Sequence, residues 1–151
     1  MIRQARTEDI SVIVKNSALF WQEIRGEYLL DRFDPAGFSN YLKNAFAKEM
    51  VVGWIYEENK QVCGGLLMQK DFMFLTGKNI LSEIGWWILP EKRNSLAAYK
   101  LIKEAEKFAK NNSFDFVMMG CMEFPRPDRL TKFYEKLGYK QTQIQFFKKI
   151  S

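Results

Sequence analysis

Residues 83–98, EIGWWILPEKRNSLAA, decide how this chain is read. The apolar run through Leu89 predicts a strand, Pro90-Glu91-Lys92-Arg93 a turn, and the residues from Asn94 or Ser95 a helix reaching Asn111. A strand that turns directly into a helix gathers unpaired backbone N–H groups in one concavity, and the helix dipole adds partial positive charge there. The junction is a ready anion site with Arg93 at its lip, suited to a phosphorylated ligand.

Downstream, Leu101, Ile102, Ala105, Phe108 and Ala109 share one helical face, and Asn111-Asn112 ends the helix. Lys100, Lys103, Lys107 and Lys110, mixed with Glu104 and Glu106, read as its solvated face. Residues 114–119 are largely apolar and predict a strand in the sheet interior. Residues 128–137 predict a short helix stopped by Gly138 in the left-handed cap position, and 139–150 alternate loosely as a final strand or pair. Upstream, residues 2–5 form a first strand, and Thr7 is placed to cap a helix carrying Ile10, Ile13, Val14 and Ala18. After a loop-rich segment, Asp34-Pro35 opens a second helix with Phe38, Leu42, Ala45 and Phe46 on one side. Residues 51–56 and 62–68 predict strands joined by a turn at 57–60, and 76–79 a further hairpin turn. Gly64-Gly65 inside the second of these strands marks a bulge or a close backbone approach. The order is β-α-α-β-β-β-α-β-α-β, an α/β fold with a mixed sheet whose strand–helix–strand crossover pair is parallel.

Composition narrows the chemistry. The 151 residues suit one domain, 1–151, and 47% hydrophobic with 27% charged residues argues against disorder. No apolar run reaches the roughly 18 residues of a membrane span, and MIRQARTED lacks a signal-peptide stretch, so a soluble, cytoplasmic protein is expected. Histidine is absent, which excludes Ser-His and Cys-His hydrolases and removes the commonest metal ligand. Cys63 and Cys121 lie in apolar runs and read as buried, reduced thiols, with no metal site. The net charge of +5 suits an anionic partner, whether cofactor phosphates, acidic protein or nucleic acid.

The element order, together with LPEKRNSLAA and FYEKLGY at residues 133–139, resembles the GCN5-related N-acetyltransferase (GNAT) family over essentially the whole chain. The family's cofactor turn is Arg or Gln, two residues, Gly, one residue, then Gly or Ala. Arg93 and Ala98 match it, whereas Leu96 stands where a close-approach glycine is usual. The turn resembles divergent, phage-type members. The resemblance implies acetyl transfer from acetyl-CoA to a primary amine, on a small molecule or a protein, by direct attack in a ternary complex. It places the cofactor pyrophosphate on the backbone of Asn94, Ser95, Leu96, Ala97 and Ala98 beside Arg93, and the pantetheine arm along the backbone of Trp87, Ile88 and Leu89. No metal is implied.

Two catalytic roles follow from the same resemblance. Tyr134 would protonate the leaving thiolate, an ordinary phenol of pKa about 10 facing a thiol of about 8.5. Glu83, on the strand beside the cofactor, would take the amine's proton, and apolar surroundings would raise its pKa; Glu123 is the reserve base. The opposing readings are a core tyrosine and a strand-edge carboxylate in water or paired with Lys78. Trp86 and Trp87 point to opposite faces. Phe20, Trp21, Tyr28 and Phe33, interleaved with Glu23, Glu27 and Asp31, form an acceptor wall able to receive a cationic amine. A non-catalytic or nucleic-acid-directed module on the same fold stays open as the alternative, as does a homodimer.

Overall fold

The computed structural model describes residues 1–24, 32–93, 95–121, 126–148 and 150. In chain order the elements are β1 (Ile2–Gln4), a 3-10 turn (Thr7–Asp9), α1 (Ile10–Ile24), α2 (Pro35–Ala47), β2 (Val51–Glu58), β3 (Gln61–Met73), β4 (Lys78–Ile88), a second 3-10 turn (Pro90–Lys92), α3 (Ala97–Asn111), β5 (Phe116–Met118) and α4 (Pro127–Lys136). The five strands form one sheet in chain order, antiparallel except for the β4–β5 pair. That parallel pair is joined through α3, the crossover expected of a strand–helix–strand unit.

Both faces of the sheet are covered, so the middle strands run apolar on both sides. Val52, Trp54, Leu66, Met68 and Leu81 pack under α3 with Leu101, Ala105 and Ala109. Val51, Ile55, Leu67 and Trp87 pack against Ile10 and Ile13 of α1 and Leu42 and Ala45 of α2. The period-two alternation along β2 assigns 52 and 54 to one face and 51 and 55 to the other. Trp86 and Trp87 divide between the two faces in the same way.

Several local expectations shift. Thr7 does not cap α1; it begins the 3-10 turn, and Asp9 accepts the Arg6 N–H at 2.8 Å. Asp9 is drawn there because the Arg3 guanidinium holds both of its carboxylate oxygens at 2.8 Å. Asp34 does cap α2, accepting the Gly37 N–H at 3.0 Å. The β2–β3 turn is the pair Asn59-Lys60, both left-handed with φ 51° and 64°, the primed geometry that matches strand twist. Glu57 and Glu58 belong to β2. The next hairpin is longer than expected: β3 runs to Met73, Lys78 and Asn79 already belong to β4, and Gly77 takes φ 70° in the turn between. α3 starts at Ala97, because the 3-10 turn Pro90–Lys92 uses up the residues before it; Asn94 lies outside the described residues.

Two corrections concern the far edge of the sheet. Among the described residues 139–150 form no strand, so the last β of the expected order is missing. Ile144, Phe146 and Phe147 are exposed at 68%, 93% and 76%. Alternation defines a strand only where an edge accepts it, and β5 offers just three residues. β5 is therefore the edge rather than the interior, with Phe116 and Met118 half exposed. Cys63 is buried as expected, but Cys121, beyond β5, is exposed, with its Sγ 3.7 Å from the Pro127 carbonyl.

Candidate active site

Strands β4 and β5 pair only over three positions, Ile80–Ser82 opposite Phe116–Met118. β4 continues to Ile88 while its partner on that side stops, so the two strands part in a wedge. A bulge opens the split: Leu67 pairs with Gly85 and Met68 with Glu83, which leaves Ile84 as the extra residue. Such an insertion bends a strand and increases its twist. Past the bulge, β4 keeps β3 on one side and has no strand on the other among the described residues, so a row of backbone polar groups faces the wedge.

Strand alternation decides which groups these are. The Leu89 N–H donates to the Cys63 carbonyl at 2.9 Å, and the Leu89 carbonyl accepts the Lys92 N–H at 2.8 Å. Ile88 opposite Gly64 is then a non-hydrogen-bonded pair, whose own N–H and C=O point away from β3. Of Trp87, Ile88 and Leu89, only Ile88 turns its backbone to the wedge; Trp86 does so two residues earlier. Gly65 fits the expected close approach, since a Cβ there would stand 2.3 Å from the Trp87 ring. The bulge in β3 falls beside it: Tyr56 pairs with Gly64 and Glu57 with Val62, leaving Cys63 extra.

Glu83 stands at the head of the wedge. Its Oε2 accepts the Gly120 N–H at 2.6 Å, tying the end of β4's paired segment to the chain just past β5. Tyr134 on α4 closes on the same residue from the other side, its O–H donating to the Gly120 carbonyl at 2.9 Å. The Trp86 indole N–H donates to the Tyr134 oxygen at 3.0 Å. Glu83 and Tyr134, 51 positions apart by the numbering of the chain, are thus brought to one residue, Gly120. Burial pushes the Glu83 carboxyl up to about 7, and the Gly120 N–H only partly offsets that. Burial, then the nearby Glu83 carboxylate, pushes the Tyr134 phenol above its ordinary value. Lys78, weighed as a partner for Glu83, instead pairs with Asp115 at 3.5 Å. Glu123 lies outside the described residues.

At the open end of β4 the chain turns through Pro90–Lys92 into α3. Lys92 is anchored by an ion pair to Glu58. The Ser95 hydroxyl donates to the Lys92 carbonyl at 2.7 Å and accepts the Ala97 N–H at 3.2 Å. Ala97 is buried in the α3-side core, which explains a small residue there. Leu96 has φ −76°, a conformation any L-residue adopts, and its side chain is 67% exposed. The turn therefore needs no glycine for its backbone shape. The N–H groups of Ala98 and Tyr99 fall in the first turn of α3, where a helix supplies no acceptor of its own.

Arg93 lies across this corner. Its Nε donates to the Ile88 carbonyl at 3.0 Å, and its Nη2 donates to both carboxylate oxygens of Glu23 at 2.9 and 2.8 Å. On the α1 side of the corner lies a cleft of about 370 Å³, lined by Asn16, Phe20, Glu23, Trp87, Pro90 and Arg93 among others. The Trp87 Nε1 is buried with no hydrogen-bond partner among the described residues. Of the expected acceptor wall, Phe20 lines this cleft and Phe33 packs edge-on against Phe38 at 5.7 Å. Trp21 lies half-buried on α1, while Tyr28, Glu27 and Asp31 lie outside the described residues.

Sequence reasoning missed Gly120, Trp86 as a hydrogen-bond donor, and the Glu23 partner of Arg93. Each depends on a contact between distant segments, and no local pattern marks it.

Comparison with known proteins places the architecture. A family model described as the acetyltransferase (GNAT) family matches residues 17–139. No curated protein sequence matches the chain. A solved structure described as a possible acetyltransferase from Clostridium difficile 630 is 14% identical, with TM-score 0.79 over 100% of this chain and 97% of that one. A protein from Clostridium acetobutylicum, described as a predicted acetyltransferase with acetyl-CoA, is 17% identical, with TM-score 0.76 over 99% and 96%. An aminoglycoside acetyltransferase from an uncultured soil metagenomic sample, in complex with sisomicin, is 14% identical, with TM-score 0.76 over 100% and 96%. At these identities the likeness to the solved structures is one of fold.

Proposed function

The chain belongs to the acetyltransferase (GNAT) family, and from that membership we propose that residues 1–151, as one domain, transfer an acetyl group from acetyl-CoA to a primary amine by direct attack with both substrates bound. The observation that carries this reading is the wedge past Ser82: an open strand edge that leads from a half-buried carboxyl and a buried phenol to a helix start with a guanidinium. The residues fit the cofactor's chemistry. The free N–H groups opening α3, with Arg93, suit a pyrophosphate, and the outward backbone groups of Trp86 and the outward N–H of Ile88 suit the amides of an extended arm. Acetyl-CoA supplies a thioester carbonyl already activated toward an amine.

The protein's part is then positioning and proton management. An ammonium must lose a proton before it attacks, and Glu83, poised near neutrality, takes it at the carboxyl oxygens. Tyr134 holds its proton firmly, so it would offer the departing sulfur an O–H hydrogen bond in place of the Gly120 carbonyl, and the second proton, shed by the nitrogen as the C–S bond breaks, would pass to the thiolate. The cleft beneath α1 gives the acceptor an apolar floor at Phe20 and Trp87.

Isothermal titration with acetyl-CoA, followed by thiol release across a panel of amines that includes sisomicin, tests the reading. Binding in the micromolar range and amine-dependent thiol release are expected. No heat of binding at high micromolar acetyl-CoA would sink it. Amine-dependent release that is unchanged in both Glu83→Gln and Tyr134→Phe would leave transfer standing and remove these two roles.

A further inference from the structure

Glu23 occupies the last turn of α1, the helix end where unpaired carbonyls carry partial negative charge and a carboxylate is disfavoured. Among the described residues no basic residue of that turn offsets it. Its compensation comes from Arg93, 70 positions away in sequence, through two contacts of 2.9 and 2.8 Å from one guanidinium nitrogen. The same guanidinium spends its Nε on the Ile88 carbonyl, one of the β4 backbone groups that face the wedge. Arg93 is thereby engaged at two points at once: a carboxylate lies where an anionic ligand would pair, and its stem covers an open-edge acceptor.

We propose that Glu23 is an internal competitor for the cofactor's pyrophosphate at Arg93, and so sets the affinity of that site; this rests on the acetyl-CoA reading above. A diphosphate that takes up Nη2 of Arg93 cannot do so while both contacts from that nitrogen to Glu23 are kept. Phosphate that takes Arg93 releases Glu23, and the released carboxylate stands at a negative helix end beside a second anion. Binding therefore works against α1's last turn as well as against the lost ion pair. Both side chains are well exposed, 42% and 37%, so the pair is water-screened and easily exchanged, as a competitor must be.

Calorimetric titration with CoA, and with inorganic pyrophosphate as a minimal probe, of wild type, Glu23→Gln, Arg93→Gln and the double variant tests this. Glu23→Gln is expected to tighten both ligands by about two- to five-fold, the range an exposed ion pair supplies. Arg93→Gln weakens binding, and adding Glu23→Gln to it changes nothing further, because the competition runs through Arg93. In the thiol-release assay the Glu23→Gln gain appears as a lower KM for acetyl-CoA. Equal or weaker CoA binding by Glu23→Gln, with wild type binding normally, overturns the proposal and makes Glu23 a support that positions Arg93. A gain in Glu23→Gln that persists in the Arg93→Gln background also overturns it. Loss of CoA binding in wild type and Glu23→Gln alike would overturn the acetyl-CoA reading itself, and the competition with it.

Discussion

Replacing Glu83 by Gln probes the head of the wedge through stability as well as rate. In the folded chain burial holds this carboxyl at about 7, against an ordinary 4.5. Between those values the native state keeps a proton that the unfolded chain has released, so more protons are bound in the native state and stability falls as pH rises. The cost is absent below the ordinary value and complete above the folded one. At about 1.4 kcal/mol per pH unit, the interval is worth about 3 kcal/mol. Glutamine keeps an oxygen for the Gly120 N–H, now held at 2.6 Å, and has no charge to bury. Glu83→Gln should therefore be more stable than wild type by about 3 kcal/mol at about pH 8.5, and close to it at about pH 4. Urea unfolding followed by tryptophan fluorescence at those two pH values measures the difference. A variant that is less stable at both, or a difference that does not grow with pH, refutes the buried-carboxyl argument. The same change should lower kcat/KM by about 10²- to 10⁴-fold and abolish the rise of activity through pH about 7.

Three further substitutions test the frame around the site. Gly65→Ala drives a methyl to 2.3 Å from the buried Trp87 ring, so a loss of about 1–3 kcal/mol is expected in thermal or urea unfolding; an unchanged melting temperature would show that the ring yields freely. Tyr134→Phe removes the O–H held by the Gly120 carbonyl and the acceptor of the Trp86 indole N–H, at about 1–3 kcal/mol, and a denaturant midpoint equal to wild type would contradict that network. Asp9→Asn deletes the carboxylate gripped by Arg3 and the Arg6 N–H and should lose about 1.5–3 kcal/mol at neutral pH. Arg3 holds Asp9 below its ordinary 3.8, so this stabilisation is complete above that value and lost as pH falls through the depressed pKa. A wild-type-to-Asn difference that persists in strong acid would rule out the ion pair as its source.

Much of the fold is written locally. Helical spacing placed α1, α2 and α3 and the face each buries, because a 3.6-residue period needs no knowledge of the partner. Gly138 at φ 91° and the Asp34 cap are likewise set by their own backbone chemistry. Strands were less legible at their ends, since Lys70–Met73 become β3 only because Lys78–Leu81 lie opposite. Residues 139–150 show the converse, an alternating pattern without an edge to receive it.

The sequence by itself determined the β4–turn–α3 junction, the absence of histidine chemistry, and the candidates Glu83, Tyr134 and Arg93. The first two follow from residue types and short spacings, and the candidates from the family resemblance those spacings carry. Only the tertiary structure decided what each of them faces. A bulge at Ile84 and a three-residue β5 open the wedge; Gly120 receives Glu83 and Tyr134 on its two sides; Glu23 closes on Arg93. Burial is a property of the assembled chain, and so is the carboxyl it holds near neutrality. The motif names the chemistry that is available, and packing sets where its protons and charges rest.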